Sequence, residues 1–394
     1  MSSRREGALV GAGPVVAAFV TFGLFWGSWA VLLANIQRSF HLSDADIGYL
    51  LSVAIAVAGL TGAVMGHLAN RFGARRLLWI SMYAWAVLLL LMSITGQRWT
   101  FAGALVLVEV AGGCIDTGMN AEATHRLDGN PGGLVRFHAL FNTGALLGAA
   151  AAGAVVGAHL SFRWVWPGIS VIALVVGTWT LLTDEGLPLS PQPSPSDAVP
   201  SHPWRRLRHE GLLVLLFVFA IAEITEGGVD TWGVLYLRTH LATGVLLGAG
   251  AYVIGQSMAA TTRGAGGTLL GRLSANRALT IGGCVAGGGI LLESLTHLSI
   301  LAAVGVMLGA GGASLFWPLV MSTVSQQTTQ LVSAVGTFTA AGYIGWVAGA
   351  PAVGWVSETY GPARGLQLLA GAAILVALVS LLRPQRSPRE MVTG

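Results

Sequence analysis

The sequence predicts an all-α, polytopic membrane protein whose twelve transmembrane helices form two related halves. Three observations predict it. Hydrophobic residues make up 54% of the chain and charged residues 10%, with mean hydropathy +0.71; soluble domains carry about 25% charged residues. The apolar residues fall into twelve runs, each close to the roughly 20 residues that a helix needs to cross a bilayer core. The chain also repeats itself. Gly66, Leu68, Arg71, Ala74, Arg76, Leu78 and Ile80 return as Gly267, Leu269, Arg272, Ala275, Arg277, Leu279 and Ile281 at an offset of 201 residues. The stretch from Phe137 to Gly153 returns from Phe338 to Gly354 at the same offset. Duplication in so apolar a chain points to a carrier whose halves move about a shared central site.

The first half places its helices near 13–37, 46–69, 76–95, 100–125, 134–160 and 163–183, and the second near 211–237, 244–266, 278–298, 299–324, 331–356 and 363–383. The first run is too long for a signal-peptide core and lacks a small-residue cleavage site, so it is expected to be a retained helix. Between the halves, 184–210 holds Pro188, Pro191, Pro193, Pro195, Pro200 and Pro203 before Trp204, Arg205, Arg206 and Arg208. Such a segment reads as an extended linker, which divides the chain into 1–183, 184–210 and 211–394.

Every basic residue other than histidine is arginine, so chemistry that needs a lysine nucleophile or Schiff base is excluded. Fifteen arginines fall in the tails and loops on the side of the N-terminus, and five (Arg38, Arg98, Arg163, Arg238 and Arg364) fall in the opposite loops. That imbalance predicts both termini in the cytoplasm of an inner-membrane protein. It also explains the pI near 9.5 without a nucleic-acid partner. Cys114 and Cys284 lie in apolar runs and build neither a disulfide framework nor a metal site.

The loop from Gly66 to Arg76 contains Gly66, Asn70, Arg71, Gly73, Arg75 and Arg76. Glycines permit the tight turn and close helix approach, while arginines hold the loop at the inner surface and reach carboxylates or helix-end carbonyls. This loop resembles the helix 2–3 signature of the major facilitator superfamily, with Asn70 where that family has an aspartate. Asp116 with Met119-Asn120-Ala121, then Phe137-His138-Ala139-Leu140-Phe141, and Glu226-Gly227 with Trp232 and Tyr236-Leu237 resemble the fucose-permease-like branch. That branch carries an aspartate directly before the helix 7 tryptophan, where this chain has Thr231 and sets Asp230 one residue earlier. The resemblance implies the major facilitator fold of two six-helix bundles, alternating access, and inner-gate roles for Gly66, Asn70, Arg71, Gly73, Arg75, Arg76, Arg272 and Arg277.

Ionisable side chains within a transmembrane helix cost about 2.5–3.5 kcal/mol on insertion scales and are functional candidates by default. Glu109 and Asp116 share one face of helix 4, with Asn120 a turn further on, and Glu223, Glu226 and Asp230 share one face of helix 7. Against them stands one cation expected at membrane depth, Arg263 of helix 8. It either neutralises Glu226 or Asp230 or binds a polar solute. His138 is either a proton relay or an interfacial hydrogen-bonding group. A buried carboxylate without a cation takes up a proton, so Asp116, Glu223, Glu226 and Asp230 are the coupling candidates. Glu109, Glu122 and Glu293 are expected nearer the membrane faces, in packing roles. Trp26, Trp29, Trp232, Trp317 and Trp346 offer aromatic faces to a solute or serve in packing and the interfacial belt. Asn120, Asn142 and Arg263 complete the expected solute site.

The function expected is secondary transport of a small organic solute, coupled to protons and without a cofactor, by a monomer in the bilayer. Sugar-like uptake is favoured, with drug or metabolite efflux as the alternative. An intramembrane enzyme is disfavoured by the absence of G-x-S-x-G and H-E-x-x-H, and ATP-driven transport by the absence of a phosphate-binding loop. A receptor or scaffold would have no use for so many membrane acids. The topology is checked with a cysteine introduced at position 195: an impermeant thiol reagent should reach it only from the cytoplasmic side, and labelling from outside intact cells would reverse the assignment.

Overall fold

The computed structural model describes residues 2–126, 131–184, 211–269, 273–328 and 331–383. Within these, the side chains of 2–12, 67, 68, 70, 71, 125, 126, 131–138, 264–269, 325, 326, 331–333, 335 and 336 are not described. The expected linker at 184–210 therefore lies outside the described residues except for Asp184, as does Arg272.

The described chain is helical, without strands. Helices α1 (Ser2–Phe40), α2 (Asp44–Phe72), α3 (Ala74–Ser93), α4 (Arg98–Arg126), α5 (Pro131–Gly157) and α6 (Val165–Leu182) make the first bundle. The second begins with α7, which runs in three segments: Leu213–Gly228, a π turn at Val229–Gly233, and Val234–Thr239. Then come α8 (Val245–Leu269), α9 (Ala275–Leu295), α10 in two segments (Ser299–Ala313 and Phe316–Gln327), α11 (Leu331–Tyr360) and α12 (Pro362–Leu382). Nine of these are long and apolar enough to cross a membrane by length and composition among the described residues.

Local chemistry sets the boundaries. Ser43 opens α2 with a capping box: its hydroxyl accepts from Asp46 N at 3.1 Å while the Asp46 carboxylate accepts from Ser43 N at 3.0 Å. Gly73 closes α2 and opens α3 at φ 92°, a conformation that a side chain would strain.

Small residues then set the packing. On α1, a methyl group at Gly27 would lie 1.8 Å from the carbonyl oxygen of Ala145, and on α5 one at Gly148 would lie 2.0 Å from that of Leu24. The duplicated residues repeat the contact, since a methyl on Gly345 of α11 would lie 2.3 Å from the Ala220 carbonyl oxygen of α7. Helices this close are held by dispersion, which a glycine-lined seam maximises in lipid.

The bundles meet chiefly through α2 with α11 and α5 with α8. Gly48 sits against the Ala350 carbonyl, Gly354 against that of Asp44, and Gly153 against Ala249. These contacts lie toward the membrane face opposite the N-terminus, here the far face.

Of the expected inner-gate residues, Arg75 reaches within its own bundle. Arg75 is buried, with Nε 3.3 Å from Glu122 Oε1 and Nη1 donating to the carbonyl of Thr183, the residue that ends α6. Asn276, 201 residues later, repeats the second contact by donating to the Arg383 carbonyl at the end of α12, at 2.8 Å. Arg76 and Arg277 are exposed, and the side chains of Asn70 and Arg71 lie outside the described residues.

Removing one partner of a buried pair costs about 3–5 kcal/mol because the other charge is stranded. Arg75→Ala should therefore lower the melting temperature in detergent by several degrees. Adding Glu122→Gln should recover part of the loss; no recovery would mean that the ion pair is not what Arg75 supplies.

Candidate functional site

Helix α11 presents two donors one turn apart, and each reaches an acid of a different bundle. Tyr343 Oη donates to Asp116 Oδ2 of α4 at 3.4 Å, across the bundle interface, and Trp346 Nε1 donates to Glu223 Oε2 of α7 at 3.0 Å. Asn120, a turn below Asp116, donates to Asp116 Oδ1 and to its carbonyl at 2.9 Å each, which fixes the carboxylate's direction. The Trp346 indole lies over Gly227, where a methyl group would come within 2.8 Å of the ring. Leu51 and Ile55 of α2, Glu223, Gly227, Thr231 and Trp232 of α7, and Trp346 of α11 line a narrow crevice between the bundles.

The three α7 acids share a face, as their spacing predicts, yet each has its own partner. Glu223 takes the indole N–H, Glu226 pairs with Arg263, and Asp230 accepts from Gln256 Nε2 at 2.8 Å. Asp230 and Trp232 stand in the π turn, whose extra residue re-aims the side chains that follow it. Of the two partners open to Arg263, the structure places it on Glu226. Its Nε also donates to the Ser314 carbonyl at 3.2 Å, at the point where α10 breaks. Pro318 stands four residues later and has no N–H, so that carbonyl lacks its helical donor.

The remaining expected residues divide. Trp26 is half-buried, edge-on to Phe25 with ring centroids 5.6 Å apart. Trp29 belongs to packing: it is 2% exposed and stacks on Phe101 at 6.3 Å with the planes 7° apart. Trp317 packs at the edge of the second bundle's core. Asn142 is buried with Nδ2 unpartnered among the described residues. The His138 side chain lies outside the described residues.

Two expectations are corrected. Glu109 is 1% exposed and stands toward the middle of α4, with Oε1 unpartnered among the described residues, whereas Glu293, equally buried, stands close to the end of α9 as expected of an acid near a membrane face. Arg75, buried as described above, and Arg238 both stand at helix ends; Arg238, expected in a loop, lies in the last turn of α7, is 6% exposed and crosses to α1. There its Nη1 donates to the Val31 carbonyl at 2.6 Å and to Asn35 Oδ1 at 2.7 Å. Sequence reasoning also passed over Tyr343, Gln256 and Ser314. Tyr343 had a signal, because it stands 201 residues after Asn142 and one turn before Trp346.

A family model described as Major Facilitator Superfamily matches residues 15–350. The chain belongs to the Major Facilitator Superfamily. It is 26% identical over 375 residues to the membrane protein MosC of Rhizobium meliloti, covering 93% of this chain and 88% of that one. It is 24% identical over 344 residues to an uncharacterized MFS-type transporter of Yersinia pestis, covering 86% and 87%. Among solved structures, the nucleoside transporter NupG superposes with TM-score 0.75 at 15% identity over 94% of this chain and 98% of that one. A bacterial homolog of the human lysosomal transporter Spinster, in an inward-facing and occupied conformation, gives 0.73 at 14% over 96% of each. At these identities the superpositions bear on the fold alone. Membership makes the chain a multi-pass transporter rather than an enzyme, and its fold class is the one its sequence predicts.

Among the described residues, Arg238 makes the shortest polar bridge between the bundles near the far face. Hydrogen bonds to a charged group contribute about 1.5–3 kcal/mol, and 1.4 kcal/mol is a factor of ten in population. Arg238→Ala should accelerate thiol labelling of a cysteine placed at Ser52, between α2 and α11, by roughly tenfold; an unchanged rate would remove Arg238 from far-face closure.

Proposed function

We propose that this superfamily member is a proton-coupled secondary transporter of a small, neutral, hydroxyl-rich organic solute, working in uptake as a monomer in the bacterial inner membrane with both termini cytoplasmic. The carrying observation is the pair of donors on α11, Tyr343 to Asp116 and Trp346 to Glu223, because one helix face thereby depends on the charge of an acid in each bundle. The indoles of Trp232 and Trp346 beside carboxylates give a solute a stacking face and hydrogen-bond acceptors. Arg263, already engaged with Glu226 and the Ser314 carbonyl, is the neutralising partner rather than an anion receptor. The resemblance of the helix 4–5 and helix 7 stretches to fucose-permease-like carriers supports a sugar-like solute.

Coupling follows from magnitudes. A hydrogen bond to a carboxylate contributes about 1.5–3 kcal/mol and one to a neutral acid about 0.5–1.5. Protonating Asp116 therefore weakens the α4–α11 link by about 1 kcal/mol, roughly a fivefold shift in population toward separated bundles. Glu223 and Glu226 act inside the second bundle: a proton on the first weakens the Trp346 bond between α7 and α11, and one on the second releases Arg263 from α7. With the termini cytoplasmic, the far face is periplasmic and the conformation described is closed to the outside.

The test is solute flux in proteoliposomes with and without a pH gradient, using candidate sugars first picked by thermal stabilisation of the purified protein. Asp116→Asn and Glu226→Gln should each abolish gradient-driven accumulation while solute exchange persists. Accumulation by both neutral variants would place proton carriage elsewhere, and accumulation only when the gradient is inverted would make the protein an exporter.

A further inference from the structure

We infer that Pro318 is a positioning residue for the Arg263–Glu226 pair: by removing the helical donor of the Ser314 carbonyl, it creates the acceptor that seats Arg263 and ties the break in α10 to the charge of α7. The inference rests on the coupling role proposed above for Glu226.

Ser314 is 1% exposed, so its carbonyl has no water to turn to. The Ser314 hydroxyl does not fill the gap, since it donates to the Gly311 carbonyl at 2.8 Å. A buried acceptor left without a donor costs about 1–3 kcal/mol. Arg263 has the matching need: a guanidinium holding Glu226 through Nη2 still carries an Nε–H, which a membrane interior cannot solvate. Nε and Nη2 are adjacent donors on one edge of the planar fork, so one edge bridges the carboxylate of α7 and the carbonyl of α10. Alanine at position 318 would bring an N–H that competes for the same carbonyl and favours a straight α10. Arg263 would then hold Glu226 from a less defined seat. A lysine at 263 keeps the charge and loses the fork.

The charged and titratable groups that bear on the pair are Glu223 and Asp230 on α7, whose fields reach both members, with Tyr252 on α8 acting on Asp230 and Tyr343 on α11 acting on Glu223. From α10 the pair meets the Ser314 carbonyl. Because those acids are common to every variant below, differences between variants report on Arg263 and its seat.

The experiment uses the full chain in nanodiscs with spin labels on cysteines at Val64 and Ile281, both exposed and in opposite bundles, after Cys114 and Cys284 are replaced by alanine. Distances are measured from pH 5 to pH 8. The parent should show a pH-dependent change in its distance distribution. Pro318→Ala should move its midpoint by at least half a pH unit toward higher pH, since a carboxylate whose cation is loosely seated is easier to protonate. Arg263→Lys should reproduce that movement with Pro318 intact. In a Glu226→Gln background, adding Pro318→Ala should leave any remaining pH response unchanged.

A normal midpoint in Pro318→Ala, or an equal shift in the Glu226→Gln background, would overturn the inference. A flat parent response would instead strike the coupling proposal. The melting temperatures of the parent, the two single variants and the double variant then still decide: strict additivity of Pro318→Ala and Glu226→Gln would overturn the role of Pro318, and coupling between them would sustain it. If Pro318→Ala fails to fold, the Arg263→Lys midpoint decides alone, and an unchanged value rejects the bridge.

Discussion

A helix-end carbonyl packed against protein has lost its helical donor, and its pairing with a guanidinium shielded from water is the interaction on which the rest of this structure depends. Arg163 donates to the carbonyls of Ser93, at 3.1 Å, and Thr95, where α3 ends. Arg75 does the same for Thr183 where α6 ends, and Arg263 for Ser314 where α10 breaks. The first two bind α3 and α6 to each other at both membrane faces. Asn276 fastens α9 to α12 in the second half. With the peripheral helices pinned in this way, relative motion is left to the seams between α2 and α11 and between α5 and α8, where glycine and alanine backbones touch with few polar bonds.

Those seams suit a carrier because dispersion is non-directional and tolerates one glycine surface sliding over another, whereas hydrogen bonds are directional and are made or lost. The polar bonds that do cross from bundle to bundle are therefore the ones that discriminate between conformations. They run from Asp44 with Glu358 and Arg238 with Val31 near the far face, through Ser52 with the Val347 carbonyl at 2.7 Å, to Tyr343 with Asp116 deepest in the membrane. The series ends on Asp116, so a carboxylate that protonation can neutralise stands at its inner end as well as at Glu358.

Much of this was legible in the sequence. Hydropathy located the helices, and the offset of 201 residues anticipated that Gly144 and Gly345 would do the same work. Spacing put Glu223, Glu226 and Asp230 on one face. Depth was less legible, because it is a tertiary property. Arg238 stands near a helix end in any hydropathy reading, and only the approach of α1 buries it. Glu109 is buried where its carboxylate and the Phe22 ring of α1 both lie against Gly112. The π turn in α7 and the break at Ser314 leave little trace in hydropathy, although Pro318 marks the second by its missing N–H.

The two halves also differ where it matters. In the first, Gly23 and Gly27 let α1 lie on the backbone of Phe141 and Ala145. In the second, α7 aligns with α1 at an offset of 200, since Ala220 and Ile224 meet Gly345 and Gly349 where Val20 and Leu24 meet Gly144 and Gly148. Glu223 then stands at the place of Gly23, Gly227 at that of Gly27, and Trp346 at that of Ala145. A backbone-to-backbone contact has thus become an indole seated on a glycine with its N–H on a carboxylate. Glu226 stands at the place of Trp26, and Arg238 at that of Arg38, which stays on its own helix and donates to the Ala34 carbonyl at 3.0 Å. The repeat supplies one scaffold twice. At this helix pair the second copy keeps the close contact at Gly345 and replaces those at the places of Gly23 and Gly27 with ionisable chemistry, so α7 with α11 is where a change in charge can alter how helices sit, while α1 with α5 holds the frame against which that change is felt.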